Sequence, residues 1–366
     1  MADVRRIRSL GFSGPGDASL FEFDEEPVGA GDLQLTTLYS GFSAGTELTF
    51  FTGTNPYLTS RWDEDLGVFS AEAPSSVYPI RSPGYMEVAQ ITESRDDRFS
   101  TGQIVAAAYG HKSHHVADGG RDAVYAIGDL DPLLGIYVAQ MGPICANGLL
   151  HAAAERSHGV VGLGDGVAGE RVLVVGGGVV GLLTALFARH HGAAEVVVLD
   201  ASPVRRAAAE ALGATSIDDA DGEGWRRVKQ RWRRGAGDCG ADVAFQCRGQ
   251  ASALAAALRS VRAQATVVDL AFYQGGADGL RLGDEFHHNG LVIRCAQIGR
   301  VPRGLAEAWD RDRLVAATLE MLHAHGASVR DHLITDVVPL ADGAAVIADL
   351  AARRRQAIQI VFQMTE

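Results

Sequence analysis

From Val4 to about Pro143 the chain runs in short stretches of apolar and polar residues broken by Gly and Pro. Leu33-Gln-Leu-Thr-Thr-Leu38 and Tyr85–Ile91 alternate with the period of a half-buried strand. Ile104–Ala108, between the turn residues Gly102 and Gly110, is a short buried strand. Residues 54–80, with Pro56, Pro74 and Pro79, read as a loop excursion. Near residue 134 the texture changes. Leu134–Ala154 is apolar at helical spacing, with Pro143 at a boundary or kink. Strands follow at Arg171–Val175, Glu195–Leu199, Asp242–Gln246, Ala265–Leu270 and Leu291–Ile298, and helices at Val179–His191, Val204–Leu212 and Ala251–Val261. Strands and helices alternating at this spacing predict an α/β fold with a doubly wound parallel sheet. The tail predicts a helix at Leu314–His325 and strands at His332–Pro339 and Ile358–Phe362.

The longest apolar run, Val172–Ala188, is long enough for a membrane span, but Gly176, Gly177, Gly178 and Gly181 divide it into strand, turn and helix. The first residues lack the apolar core of a signal peptide, and a cytoplasmic protein is expected. The 366 residues are 47% hydrophobic and 21% charged, which excludes a disordered chain and suits two domains. Four cysteines, Cys145, Cys239, Cys247 and Cys295, form no CxxC pair, so neither a disulfide framework nor a zinc ribbon is expected. With 33 basic and 45 acidic residues the net charge is −12, and no global footprint for nucleic acid is present. The basic aromatic segment Trp225–Arg234 is read as a solvated helix face.

The strongest motif is Arg171-Val-Leu-Val-Val-Gly-Gly-Gly-Val-Val-Gly181. Gly176, Gly178 and Gly181 match GxGxxG between a buried strand and a helix, and Asp200 ends the next strand 19 residues later. Gly176 permits the tight turn, Gly178 lets a pyrophosphate approach the backbone, and Gly181 lets helix and strand pack closely. The loop residues Val179 and Val180 open the helix whose N-terminus faces the phosphates. Asp200 accepts from the adenosine ribose hydroxyls and repels a 2′-phosphate, which favours NAD(H) over NADP(H). Arg205 and Arg206 stand where an arginine can instead pair with such a phosphate.

With these residues placed, the chain resembles the medium-chain dehydrogenase/reductases. The likeness rests on Ser40-Gly-Phe-Ser-Ala-Gly-Thr-Glu47, Pro83-Gly84-Tyr85, Thr101-Gly-Gln-Ile-Val105, the glycine motif and Asp242–Gly249. Phe272-Tyr273-Gln-Gly-Gly276 and Glu285-Phe-His-His-Asn289 are similar to a branch near bacteriochlorophyllide dehydrogenase and sugar or cyclitol dehydrogenase-like members. The resemblance implies a GroES-like substrate domain (1–150 and 300–366) and a Rossmann domain (151–299). It also implies homodimers or homotetramers built through the Rossmann edge strand, here Leu291–Ile298. Zinc-dependent members carry a cysteine where this chain has Ser43, a His-Glu pair where it has Tyr85-Met86, and a ligand-type residue at Gly142. They also carry a four-cysteine lobe that is missing here. Hydroxyls are poor zinc ligands beside thiolate and imidazole, so no zinc is expected.

Without a Lewis acid, a hydrogen-bond donor must handle the proton of the reacting alcohol or ketone. In His111-Lys-Ser-His-His115, His111 or His114 is the leading acid/base candidate, against a loop of structural histidines. Tyr85 can donate its phenol or simply pack. Ser43 and Thr46 can relay a proton or cap the helix that starts there, and Glu47 can orient a polar substrate. Tyr273, His287 and His288 follow a strand expected to end at the nicotinamide, and read equally as packing residues. The function expected is a zinc-independent, NAD(H)-dependent oxidoreductase of a secondary alcohol or ketone, of polyol, cyclitol or specialised-metabolite type. An NADPH-dependent enoyl or quinone reductase and a non-catalytic nucleotide-binding protein remain as alternatives. The only partners expected are a small-molecule substrate and further copies of the chain, not nucleic acid or a membrane.

Overall fold

The computed structural model describes residues 5–71, 73–156, 159, 162–273 and 275–364; Val4 and Gln274 of the motifs above lie outside this set. The chain divides into two compact units, residues 1–140 with 334–366, and residues 141–333. These boundaries differ from those at 150 and 300 expected from the sequence. The helices at Met141–Arg156 and Arg311–Leu333 pack on each other, so both belong with the second unit.

The first unit holds β1 (Arg6–Gly14), β2 (Asp17–Asp24), β3 (Asp32–Phe42), α1 (Ala44–Thr52), β4 (Arg61–Asp63), β5 (Val68–Ser70), β6 (Glu87–Ser94), β7 (Ile104–Ala107), β8 (His114–Asp118) and β9 (Tyr125–Ala126). After the second unit the chain returns with β18 (Ile334–Pro339), α8 (Gly343–Ala351) and β19 (Gln359–Gln363). Seven strands form one sheet in the order β18-β19-β3-β6-β7-β9, with β8 also on β3. The long strand β3 is its axis. Every second residue from Leu33 to Thr37 is buried, as the alternation predicts. A core of Leu10, Phe12, Phe42, Phe51, Ile347 and Phe362 closes the end where β3 runs into α1. Residues 54–80 are not wholly irregular, because β4 and β5 form a small hairpin.

The second unit holds α2 (Met141–Arg156), β10 (Arg171–Val175), α3 (Val179–His190), β11 (Glu195–Asp200), α4 (Pro203–Ala211), β12 (Thr215–Asp218), α5 (Gly224–Arg231), β13 (Arg233–Gly235), β14 (Asp238–Cys239), β15 (Ala241–Gln246), α6 (Ala251–Ser260), β16 (Val261–Asp269), β17 (Val292–Cys295) and α7 (Arg311–Leu333). Its six-stranded sheet runs β12-β11-β10-β15-β16-β17, and every pairing is parallel. The winding reverses between β10 and β15. Open parallel sheets hold ligands at the carboxyl ends of the strands beside such a switch. Burial on both faces explains the continuous apolar runs of β10 and β15. The run expected as one helix over Leu134–Ala154 splits into a 3₁₀ turn at Pro132–Tyr137 and α2. Pro143 falls in the first turn of α2, where its missing N–H costs nothing. Strand β12 was not foreseen, because its half-exposed Thr-Ser-Ile-Asp sequence carries no apolar pattern. Among the described residues, no helix is long and apolar enough to cross a membrane.

Candidate active site and cofactor-binding loop

In the first unit, β3 delivers Ser40 and Ser43 to the start of α1. Ser43 is the N-cap of that helix, yet its hydroxyl makes no capping bond. The hydroxyl instead forms a very short hydrogen bond with the Tyr85 phenol, which also donates to Thr46 Oγ1 at 3.4 Å. Glu47 serves the cap by reaching back, with its Oε1 accepting the Ser43 N–H at 2.7 Å. Its Oε2 stands 2.6 Å from His111 Nε2.

His111 is therefore not on an open loop. It is 0% exposed, and its Nδ1 lies 2.6 Å from Ser40 Oγ. Ser40 Oγ is also 2.9 Å from Glu87 Oε1, and Glu87 Oε2 accepts the Tyr109 N–H at 2.8 Å. Phe42 and Phe362 cover the imidazole. Gly84 makes room for it. Its φ is +108°, and a methyl there would stand 2.8 Å from the His111 ring. Burial opposes a charge on His111, but the Glu47 carboxylate, by charge and hydrogen bond, and then Glu87 outweigh it and raise the pKa. Burial also raises the Glu87 carboxyl, against the pull of His111 and of its hydrogen-bond donors. The Tyr85 phenol is raised mainly by burial, with Ser43 and Thr46 opposing and the two carboxylates adding, so it stays protonated at neutral pH.

The other histidines lie elsewhere. His114 is on β8 opposite Thr36, within 3.0 Å of Ser113 Oγ; burial, then Arg5 and Arg8, lower its pKa. His115 stacks on Tyr109 and is lowered to about 4 by burial and then Lys112. Neither joins the His111 cluster. Sequence reasoning missed Ser40 and Glu87. Glu87, an acid opening an otherwise buried strand, was the available signal.

In the second unit, Gly176 turns the chain with φ +100°, and a methyl on Gly181 would stand 1.8 Å from Gly176 O. Gly178 is the N-cap of α3 with ordinary extended backbone, and nothing lies within 4 Å of where its side chain would be. The turn itself thus demands glycine at 176 and 181, while position 178 is open. Val179 and Val180 form the half-buried first turn of α3. Asp200 is buried. Its Oδ2 accepts from Gly177 N–H and its Oδ1 from Ser202 N–H, both at 2.7 Å. Arg205 Nη1 is 3.8 Å from Asp200 Oδ2, whereas Arg206 turns to Asp218. At the ends of β15 and β16, the Tyr273 phenol donates to Asp269 Oδ2 (2.6 Å) and accepts from Gln246 Nε2 (3.1 Å). His287 and His288 are exposed. In the basic segment, Arg226, Arg227, Arg231 and Arg234 pair with carboxylates, Lys229 caps the Cys239 and Val261 carbonyls, and Trp232 is buried.

Gly142, which the resemblance sets at a ligand position, lies against α7, and a methyl there would stand 2.1 Å from Thr318 Cγ2. Among the described residues, no group of three or more His, Cys, Asp or Glu is arranged to hold a metal ion.

The family described as zinc-binding dehydrogenase matches residues 179–311. D-guloside 3-dehydrogenase of Escherichia coli (strain K12) is 25% identical over 342 residues, 92% of this chain and 93% of that protein. Galactitol-1-phosphate dehydrogenase from Escherichia coli superposes with a TM-score of 0.73 at 16% identity, covering 97% of this chain and 99% of its own. A Sinorhizobium meliloti 1021 structure bound to NADP superposes with a TM-score of 0.72 at 19% identity, covering 98% and 99%.

Proposed function

We propose that this chain, an NAD(P)-dependent dehydrogenase of the medium-chain dehydrogenase/reductase superfamily, uses NAD(H) to interconvert a secondary alcohol and a ketone on a polyol or sugar-like substrate without zinc. The observation that carries the reading is the turn at Gly176–Gly181 with Asp200 pinned beneath it. Gly178 has no neighbour inside the chain that requires glycine, so its free space is suited to a pyrophosphate. Asp200 keeps lone pairs on both oxygens for ribose hydroxyls, and its charge disfavours a 2′-phosphate. Gly176, Gly178, Val179, Val180, Gly181, Asp200 and Arg205 would hold the dinucleotide, whose nicotinamide supplies hydride transfer when bound.

Zinc, which the family implies, does not fit the donors present. Ser43 and Tyr85 are bonded to each other, and Gly142 offers no donor. His111 Nε2 and Glu47 Oε2 are 2.6 Å apart, whereas two ligands at the usual ~2.0–2.2 Å from a tetrahedral zinc stand roughly 3.3 Å apart. We assign the proton step to Tyr85. Its phenol hydrogen-bonds the substrate oxygen and gives its proton as a ketone is reduced, and the Ser43 and Thr46 hydroxyls pass a proton from water back to the phenolate. An alcohol is oxidised by the reverse course, the phenol first giving its proton to water through those hydroxyls and the phenolate then taking the alcohol's. Ser43 and Thr46 orient that phenol. Glu47 and His111 act through the Ser43 amide and by their charge, as positioning residues. The likeness to a guloside and a galactitol phosphate enzyme supports a polyhydroxylated substrate. Pairing of two copies along the edge strand β17 belongs to the same reading.

Metal analysis of the purified protein, with NADH and NADPH titrations and a panel of polyols and keto-sugars, tests this. Less than about a tenth of an equivalent of zinc, tighter NADH binding and turnover unchanged by chelator are expected. Stoichiometric zinc needed for turnover sinks the zinc-free assignment. Tighter NADPH binding with turnover of activated alkenes replaces the alcohol reading with a reductase.

A further inference from the structure

Strand β15 ends at Gln246, and Cys247, Arg248 and Gly249 turn the chain into α6. Gln246 is wholly buried, yet it serves its neighbour's backbone. Its Oε1 accepts the Arg248 N–H (2.8 Å) and its Nε2 donates to the Arg248 carbonyl (2.5 Å). Gly249 packs the turn down, since a methyl there would stand 2.2 Å from Phe272 O. The backbone of Arg248 is thus fixed from both sides while its side chain is exposed. Several arginines of this unit, Arg206, Arg227, Arg231 and Arg262 among them, are tied to carboxylates. Among the described residues, no hydrogen bond or ion pair engages the Arg248 guanidinium. An arginine held this firmly and left unused is placed for something outside the chain.

Its position says what. A methyl on Gly176 would stand 3.1 Å from Arg248 Cβ, and one on Gly177 would stand 3.1 Å from Arg205 Cβ. Two arginines therefore flank the glycine turn, one from each side of the point where the winding of the sheet reverses. Both stand by the turn that follows β10, at the carboxyl ends of the parallel strands, where an open sheet of this kind holds its ligands. We propose that Arg248 is an adenine-recognition residue: its guanidinium lies flat on the adenine ring of the dinucleotide whose ribose Asp200 holds, with Arg205 on the opposite wall. The inference rests on the cofactor reading above. Guanidinium is planar and weakly hydrated, and it stacks on aromatic faces. A phosphate is the poorer occupant. The diphosphate already has the amides at the start of α3, and a flat guanidinium beside the turn is left for the ring.

The test is direct binding to the full chain. Wild type, Arg248→Ala and Arg248→Lys are titrated with NADH, AMP and reduced nicotinamide mononucleotide, which lacks the adenine. Melting curves confirm that the exposed substitutions leave the fold intact. Arg248→Ala is expected to weaken NADH and AMP together by about ten-fold and leave the mononucleotide unchanged. Lysine, with the charge but no flat face, restores less than half of the loss. Unchanged NADH and AMP binding overturns the proposal. So does a loss fully restored by lysine, whether or not the mononucleotide shares it, which is the pattern of a charge on phosphate. Wild type that binds neither NADH nor AMP overturns the cofactor reading itself, and is recognised before any variant is compared.

Discussion

His111 and Glu47 meet across 2.6 Å in an interior that water does not reach, at 0% and 2% exposure. A buried pair of this kind contributes little net stability when intact and costs a great deal when one partner is lost. Glu47→Gln is expected to destabilise the first unit by about 3–5 kcal/mol, read from the urea midpoint. A change below about 1 kcal/mol shows that the imidazole is neutral and needs no anion.

The same cluster sets a pH dependence. His111 and Glu87 both lie above their ordinary values of 6.5 and 4.5 in the folded chain. Between ordinary and folded values, the native state holds a proton that the unfolded chain has released, so this stabilisation is complete below the ordinary pKa and is lost as pH rises through the folded one. Melting temperatures taken from about pH 5 to about pH 9 should show Glu87→Gln declining less steeply than wild type above the carboxylate range. Parallel curves for the two proteins count against a proton on Glu87.

For the chemistry, Tyr85→Phe removes one oxygen atom and the donor assigned to the substrate. Turnover should fall by about 10²–10⁴-fold while the NADH dissociation constant stays within about two-fold. Full activity in this variant transfers the proton step to another group.

Beneath the glycine turn, Asp200→Ala deletes the acceptor of two backbone N–H groups, one of them in the turn itself. NADH binding should weaken by about 10- to 100-fold, with a much smaller change for NADPH. Equal losses for both cofactors limit Asp200 to shaping the turn.

Packing at Gly142 gives a test free of any functional assumption. Gly142→Ala drives a methyl into Thr318 and should cost about 1–3 kcal/mol, whereas adding Thr318→Ala should recover most of it. A neutral single variant shows that α2 and α7 separate easily.

How far the sequence could be read depends on the range of the interactions involved. The parallel sheet was legible because each of its central strands is buried on both faces and so spells out an apolar run by itself. The glycine turn was legible because Gly176 answers to its own positive φ and Gly181 to the Gly176 carbonyl five residues before it. His111 was legible only as a residue type. That its ring would be buried depends on Phe362, which joins β3 by way of β19 at the far end of the chain. Glu87 and Ser40 were missed for the same reason, since they meet only through the β3–β6 register. His114 is the converse case. Three residues after His111 in the motif, it enters β8 and is carried onto another pairing.

The close approach of Gly142 and Thr318 also ties two distant stretches of the chain to one choice. A methyl on Gly142 would already stand 2.1 Å from Thr318 Cγ2, so any side chain at residue 142 has to be matched by a smaller one at residue 318. The two positions, on α2 and α7, are therefore free to vary only as a pair, and a donor group placed at residue 142 alone would part the helices before it could serve any ligand.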